Sequence, residues 1–178
     1  LPFFLDRTEV TVGAFRASGL AETLGTGGVY NPQPASVGSF CTYEEQEGAN
    51  EDLPVTCLTW RLARAYCEKQ GKRLPTEAEL AYASSALGTA SFVWGEKVPS
   101  CGEAAFGQGG ACGPSEGGPS VVGSGTIDRL SLPSGELVDL AGNVMEFASD
   151  FWQLDAEPCW KGNGVLTDPR CDVRSEER

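Results

Sequence analysis

The sequence predicts an α+β fold: loop-rich, with two main helices and short antiparallel strands. Three observations carry this. Two segments with strong helix start and stop signals follow one another across the connector GKRLPTEAEL, residues 71–80. Short apolar stretches bounded by turn residues lie outside them. Glycine is abundant, with 23 residues spread along the whole chain, which disfavours a helical bundle.

Residues 1–10, LPFFLDRTEV, are apolar and β-branched enough for a strand. Thr11 then caps a short helix, VGAFRASG, that Gly19 stops. Residues 20–56 are rich in Gly, Pro, Asn and Glu and read as a long loop. Thr59 caps the helix WRLARAYCEKQ, in which Ala63 and Cys67 share one face and Leu62 and Tyr66 another. Gly71 ends it. Pro75 fixes the entry to the next helix, and Thr76 with Glu79 forms a capping box. Lys72 and Arg73 sit where a helix C-terminus favours positive charge. Arg73, Glu77 and Glu79 are expected to form an ion pair joining the two helices. Beyond residue 88, SFVWGE (91–96) and PSVVGS (119–124) read as short strands. LVDLAGNVMEFASDFW (137–152) reads as strand, turn and strand, with Val144, Glu146 and Ala148 alternating against Met145, Phe147 and Ser149. No internal repeat or second domain is visible, so residues 1–178 are expected to form a single domain.

Bulk properties narrow the function. The net charge of -12 disfavours nucleic acid as a partner, although solubility alone accounts for it. No apolar run approaches a membrane span. Histidine is absent, which removes every Ser–His or Cys–His catalytic pair and the usual zinc ligand. No signal peptide is visible and the single methionine is Met145, so the chain is expected to come from a longer or processed precursor.

The seven cysteines fall at 41, 57, 67, 101, 112, 159 and 171. Six fall into local pairs expected to form disulfides, Cys41–Cys57, Cys101–Cys112 and Cys159–Cys171; seven reduced structural thiols are the alternative. A disulfide closing a loop of roughly 10–15 residues is worth about 3 kcal/mol. No CxxC occurs, so a zinc ribbon or thioredoxin-type site is not expected. The usage implies an oxidising, extracytoplasmic or secreted location. Cys67 is left over.

The segments EVTVGAF, LPVTCLTWRLARAYC, GKRLPTEAEL, FVWGE, PSVVGS, LVDLAGNVMEF and SDFW occur in one order. Together they resemble the formylglycine-generating enzyme (sulfatase-modifying factor) family over nearly the whole chain, GKRLPTEAE and DLAGNVMEF being the specific parts. The resemblance implies a C-type lectin-like fold. It also implies oxidation of a protein cysteine to Cα-formylglycine with oxygen and a copper(I) ion held by two cysteines, soft ligands that suit this ion. Those cysteines follow an RGGSW-like segment near the family's C-terminus, and none of the seven here matches them. No catalytic or copper-binding residue is therefore assigned. Copper is expected only if a C-terminal segment with two cysteines is supplied. The resemblance further implies that Cys67 can bond a cysteine in such a segment, making a missing fragment a partner through Cys67; a buried free thiol is the alternative.

The family's calcium site in the DLAGN-x-x-E region maps onto Asp139, Gly142, Val144 and Glu146. Two carboxylates and two backbone carbonyls suit this hard cation. The alternative is a plain strand–turn–strand with Glu146 facing solvent. A second family calcium site uses an Asn-Ile or Asn-Phe pair. Here it is Ala105-Phe106, which lacks the side-chain ligand, and no metal is expected there. Leu80, Met145 and Phe147 replace family tryptophans and are expected to stay buried. Two functions follow: a divergent or partial formylglycine-generating-enzyme-like domain, or a non-catalytic module that binds protein or glycan.

Overall fold

The computed structural model describes residues 2–23, 32, 40–106, 118–153, 159–161 and 166–173. In chain order the elements are α1 (Val12–Ala17), α2 (Leu20–Thr23), α3 (Trp60–Lys69), α4 (Glu77–Ser84), β1 (Arg129–Leu132) and β2 (Gly135–Val138). Mixed helix, one short antiparallel pair and long connections make this a loop-rich α+β structure. Among the described residues no helix is long and apolar enough to cross a membrane.

The helix signals act as the sequence predicts. Thr11, Thr59 and Thr76 are extended N-caps whose hydroxyls accept the N–H groups of Ala14, Leu62 and Glu79. Glu79 returns the bond to the Thr76 N–H and completes the capping box. Gly71 takes a φ of +70°, the left-handed turn that ends α3. The Arg73–Glu79 pair is bidentate, at 2.6 and 2.7 Å, and ties the connector to the first turn of α4 rather than α3 to α4. Glu77 takes no part in it. Its N–H donates instead to Asp150, whose other carboxylate oxygen accepts the Cys171 N–H. Lys72 pairs with Asp6 at 2.6 Å.

The core packs α1 against α3. Val12, Phe15 and Leu62 are almost fully buried and meet Leu20, Tyr43 and Val55. Phe15 stacks on Tyr66 at 5.6 Å and meets Tyr43 edge-on at 5.7 Å. The Cys41–Cys57 disulfide staples the residues that flank Tyr43 and Val55. Cys159–Cys171 is also formed. Cys112 lies outside the described residues, and with it the Cys101–Cys112 pairing.

The strand expectations are corrected in four places. Residues 2–10 form no strand, because their backbone bonds are split between neighbours: Arg7 O accepts from Val138 and Val10 O from Val55. Thr11 and Pro54 add an isolated bridge. SFVWGE is a turn, closed by the Gly95 N–H on Phe92 O at 2.8 Å. PSVVGS is likewise non-strand, with Gly123 at φ +71°. In the 137–152 stretch only the start is strand. β2 pairs with β1, from Arg129 opposite Val138 to Leu132 opposite Gly135, and β1 was not foreseen. The loop expected over 20–56 also contains α2.

Phe15→Ala is expected to lower unfolding stability by about 3–5 kcal/mol, the usual cost of removing a buried aromatic ring. Urea denaturation monitored by tryptophan fluorescence measures it.

Candidate metal centre

The turn after β2 is held by side chains. Asp139 and Asn143 both adopt left-handed backbone, with φ of 55° and 64°. Asp128, just before β1, is 1% exposed. Its carboxylate accepts the N–H groups of Leu140 (3.0 Å) and Ala141 (3.2 Å), and its carbonyl accepts the Asp139 N–H. The Asp139 carboxylate, also buried, accepts the Gly123 N–H. Asn143 ties three segments together. Its N–H donates to Ala105 O at 2.8 Å, its amide nitrogen to Glu9 Oε2 at 2.8 Å, and its amide oxygen accepts the Ser120 N–H at 2.8 Å. Gly142 is required by close approach: a Cβ there would lie 2.7 Å from Ala105 O and 3.1 Å from Asp128 Oδ2.

Each residue expected to hold calcium is in this turn. Asp139 and Gly142 face the Asp128 and Gly123 side of it. Val144 donates its N–H to Gly142 O at 2.9 Å. Glu146 is exposed as a whole residue, yet burial of its carboxyl, with repulsion from Asp128 and Asp139, pushes it up to about 7. Glu9 is raised to about 8, chiefly by burial and then by Asp139 and Glu146, against the Asn143 bond and the nearby Val144 N–H. Burial likewise raises Asp128 and Asp139. Four carboxyl groups thus share one neighbourhood. The Glu9 Oε1 atom is buried with no hydrogen-bond partner. A cavity of about 70 Å³ lined by Ala104, Ala105, Ser120, Asp139 and Asn143 adjoins them.

This donor set fits an oxygen-preferring cation: the ligands available are carboxylates and carbonyls, and one buried oxygen lacks a partner. Among the described residues no three acidic or cysteine side chains form a ready cage. An ion here would therefore draw on backbone carbonyls and water as much as on carboxylates.

Glu9, Asp128 and Asn143 escaped the sequence reading. Glu9 lay within a segment read as strand. The bonds of Asp128 and of Asn143 span 12–13 and 23–134 residues, beyond any local pattern. Ala105 and Phe106 serve the packing: Ala105 O receives Asn143, and Phe106 meets Phe92 and Trp94 edge-on at 4.7 and 5.3 Å. The expectation that Met145 and Phe147 stay buried is corrected. They are 99% and 40% exposed, because residues 144–147 join no ladder and have no sheet face to pack on. Leu80 is half-buried.

Cys67 is a free, half-buried thiol. Burial and then Asp6 raise its pKa, against the pull of Lys72, so it is no activated nucleophile.

The sulfatase-modifying factor enzyme 1-like domain family matches residues 1–174. The chain belongs to this family. Similar proteins include the formylglycine-generating enzyme of Mus musculus, 36% identical over 57% of this chain and 28% of its own length. The formylglycine-generating enzyme of Streptomyces coelicolor is 29% identical over 94% of this chain and 62% of its own. A Bos taurus family member named inactive C-alpha-formylglycine-generating enzyme 2 is 43% identical over 36% of this chain and 20% of its own. The chain thus spans less than two thirds of the length of these relatives. Its two observed disulfides fit an extracytoplasmic compartment.

Gly142→Ala is expected to destabilise the protein by about 1–3 kcal/mol, the typical cost of an overpacked contact, read by urea denaturation. A pH effect follows from Glu9 and Glu146 in metal-free protein. The unfolded chain releases these protons near the ordinary carboxyl value of 4.5, whereas the folded chain holds them to about 8 and 7. Unfolding therefore releases protons in that window, and stability from this cluster falls as pH rises through it. Denaturation in chelator at stepped pH checks this, and Glu9→Gln should flatten the slope.

Proposed function

We propose that this chain is the scaffold of a formylglycine-generating-enzyme-like domain, on a C-type lectin-like fold, with a structural calcium ion at Asp139, Gly142, Val144 and Glu146. The observation that carries the metal reading is the oxygen-only turn with a buried, unpartnered carboxylate oxygen beside it. A divalent cation there would offset the repulsion among Glu9, Asp128, Asp139 and Glu146 and fix the turn in its left-handed conformation. The reaction named by the relatives comes to this chain as a proposal: oxidation of a cysteine in a protein to Cα-formylglycine. Copper in such chemistry needs two thiolates. Among the described residues the one free thiol is Cys67, whose raised pKa and isolation do not suit the task. The oxidase therefore requires a further segment with two cysteines, joined to this domain directly or through Cys67.

A second reading is favoured by one observation. Phe147, Phe151 and Trp152 are 40, 42 and 60% exposed on one stretch of chain. A non-catalytic module that binds protein or glycan would use such a surface. The relative named inactive is consistent with this alternative.

Calorimetric titration of chelator-stripped protein is expected to give one calcium site. Asp139→Asn and Glu146→Gln should each weaken it about tenfold or more, as loss of a charged ligand does. At a free calcium concentration of 100 Kd the wild-type protein should gain about 2.7 kcal/mol of stability. Copper(I) titration and mass-spectrometric detection of aldehyde on a cysteine-containing peptide separate the two functions. Neither signal is expected from residues 1–178 alone, and both are expected once a two-cysteine segment is supplied.

A further inference from the structure

A second cavity, of about 320 Å³, lies on the other side of the hairpin and is lined by Arg7, Thr8, Gly123, Arg129, Glu136 and Val138. It is an open groove rather than an enclosed pocket. Its charge runs against that of the chain. Two guanidinium groups face one carboxylate in a protein of net charge -12.

The two arginines differ in how they are held. Arg129 is fixed on three sides: Nε donates to Gly125 O at 2.9 Å, Nη1 to Glu136 Oε2 at 3.0 Å, and Nη2 to Gly123 O. Arg7 makes a single long bond, from Nε to Glu136 O at 3.3 Å. Among the described residues its two terminal nitrogens have no partner. The Arg7 guanidinium lies against Gly135 in the hairpin turn, where a Cβ would be in ordinary contact with Cζ at 3.6 Å. Arg7 is therefore laid across the hairpin turn with the outer edge of its fork unused. That edge presents two parallel N–H donors, the pattern that receives a carboxylate bidentately. With two cations and one carboxylate in its wall, the cavity suits a monoanion. A dianion such as sulfate would bring its second charge against Glu136.

We propose that the cavity between Arg7 and the β1–β2 hairpin is a binding site for a carboxylate group, received by the free edge of Arg7 beside the fixed Arg129. This goes beyond the metal centre and does not depend on it. The carboxylate could belong to a small free acid or to an acidic side chain on a peptide, and the chemistry of recognition is the same.

The test is a titration of uniformly ¹⁵N-labelled, chelator-stripped protein, following the arginine Nε–Hε resonances. The probes are acetate, acetyl-aspartate N-methylamide and, for comparison, sulfate at equal ionic strength. A saturable shift of the Arg7 resonance with acetate or the capped aspartate is expected. Tighter binding of the capped aspartate assigns the carboxylate to a peptide, and equal binding assigns it to a free acid. Arg7→Ala should weaken binding by about tenfold or more, the worth of a charge-assisted pair. Glu136→Gln keeps an oxygen for Arg129, removes the opposing charge and should tighten binding; it decides the matter if Arg7→Ala fails to fold. The proposal is overturned if no probe shifts Arg7, if sulfate binds as tightly as acetate, or if neither substitution changes the affinity. Loss of calcium binding in the separate titration would leave these outcomes untouched.

Discussion

Asp128 is nearly fully buried, and its carboxylate holds the N–H groups of Leu140 and Ala141 while its carbonyl holds that of Asp139. In a chain whose described residues contain one two-stranded sheet, backbone groups cannot be satisfied by ladders. Side chains take over that role. Asp128 organises the start of the 139–146 turn, Asn143 ties it to residues 9, 105 and 120, and Asp139 ties it to Gly123. The candidate metal centre exists because this turn is bound from several distant segments at once.

The same logic holds the other half together. Asp150 caps the first N–H of α4 and the N–H of Cys171, so α4 and the Cys159–Cys171 disulfide share one carboxylate. Trp60 at the start of α3 donates its indole N–H to Ala148 O at 2.7 Å, and Ser149 donates its N–H to Pro75 O. The connector 71–76, the helices on either side of it and the segment after the metal centre thus form one hydrogen-bonded unit. GKRLPTEAEL is a hinge in its local physics and a docking ledge in its tertiary role.

Electrostatics set the two faces of the hairpin apart. On one side Glu9, Asp128, Asp139 and Glu146 repel one another in a partly dry environment, and each is raised. On the other side Arg7 and Arg129 outnumber Glu136. Gly123 stands between them: its N–H goes to Asp139 and its carbonyl to Arg129. Gly123 thus links the acidic cluster on one side to the arginines on the other while keeping the opposite charges out of direct contact.

Features that depend on near neighbours are readable in the chain. Three threonine caps, the Gly71 stop, the capping box and the Cys41–Cys57 and Cys159–Cys171 pairs each involve residues within one turn or one short loop, so their physics is written locally. The 139–146 turn was legible through its motif. Tertiary structure decided the rest. Residues 2–10, 91–96 and 119–124 form no strand because apolar alternation reports a face that could be buried, whereas a strand also needs a partner with free backbone groups in register. β1 went unseen because Arg129 and Ser131 give it a polar outline that only Gly135–Val138 makes sense of. Glu9 and Asp128 joined the candidate site from far along the chain. Which carboxylates end up close enough to repel is a property of packing, and no local pattern encodes it.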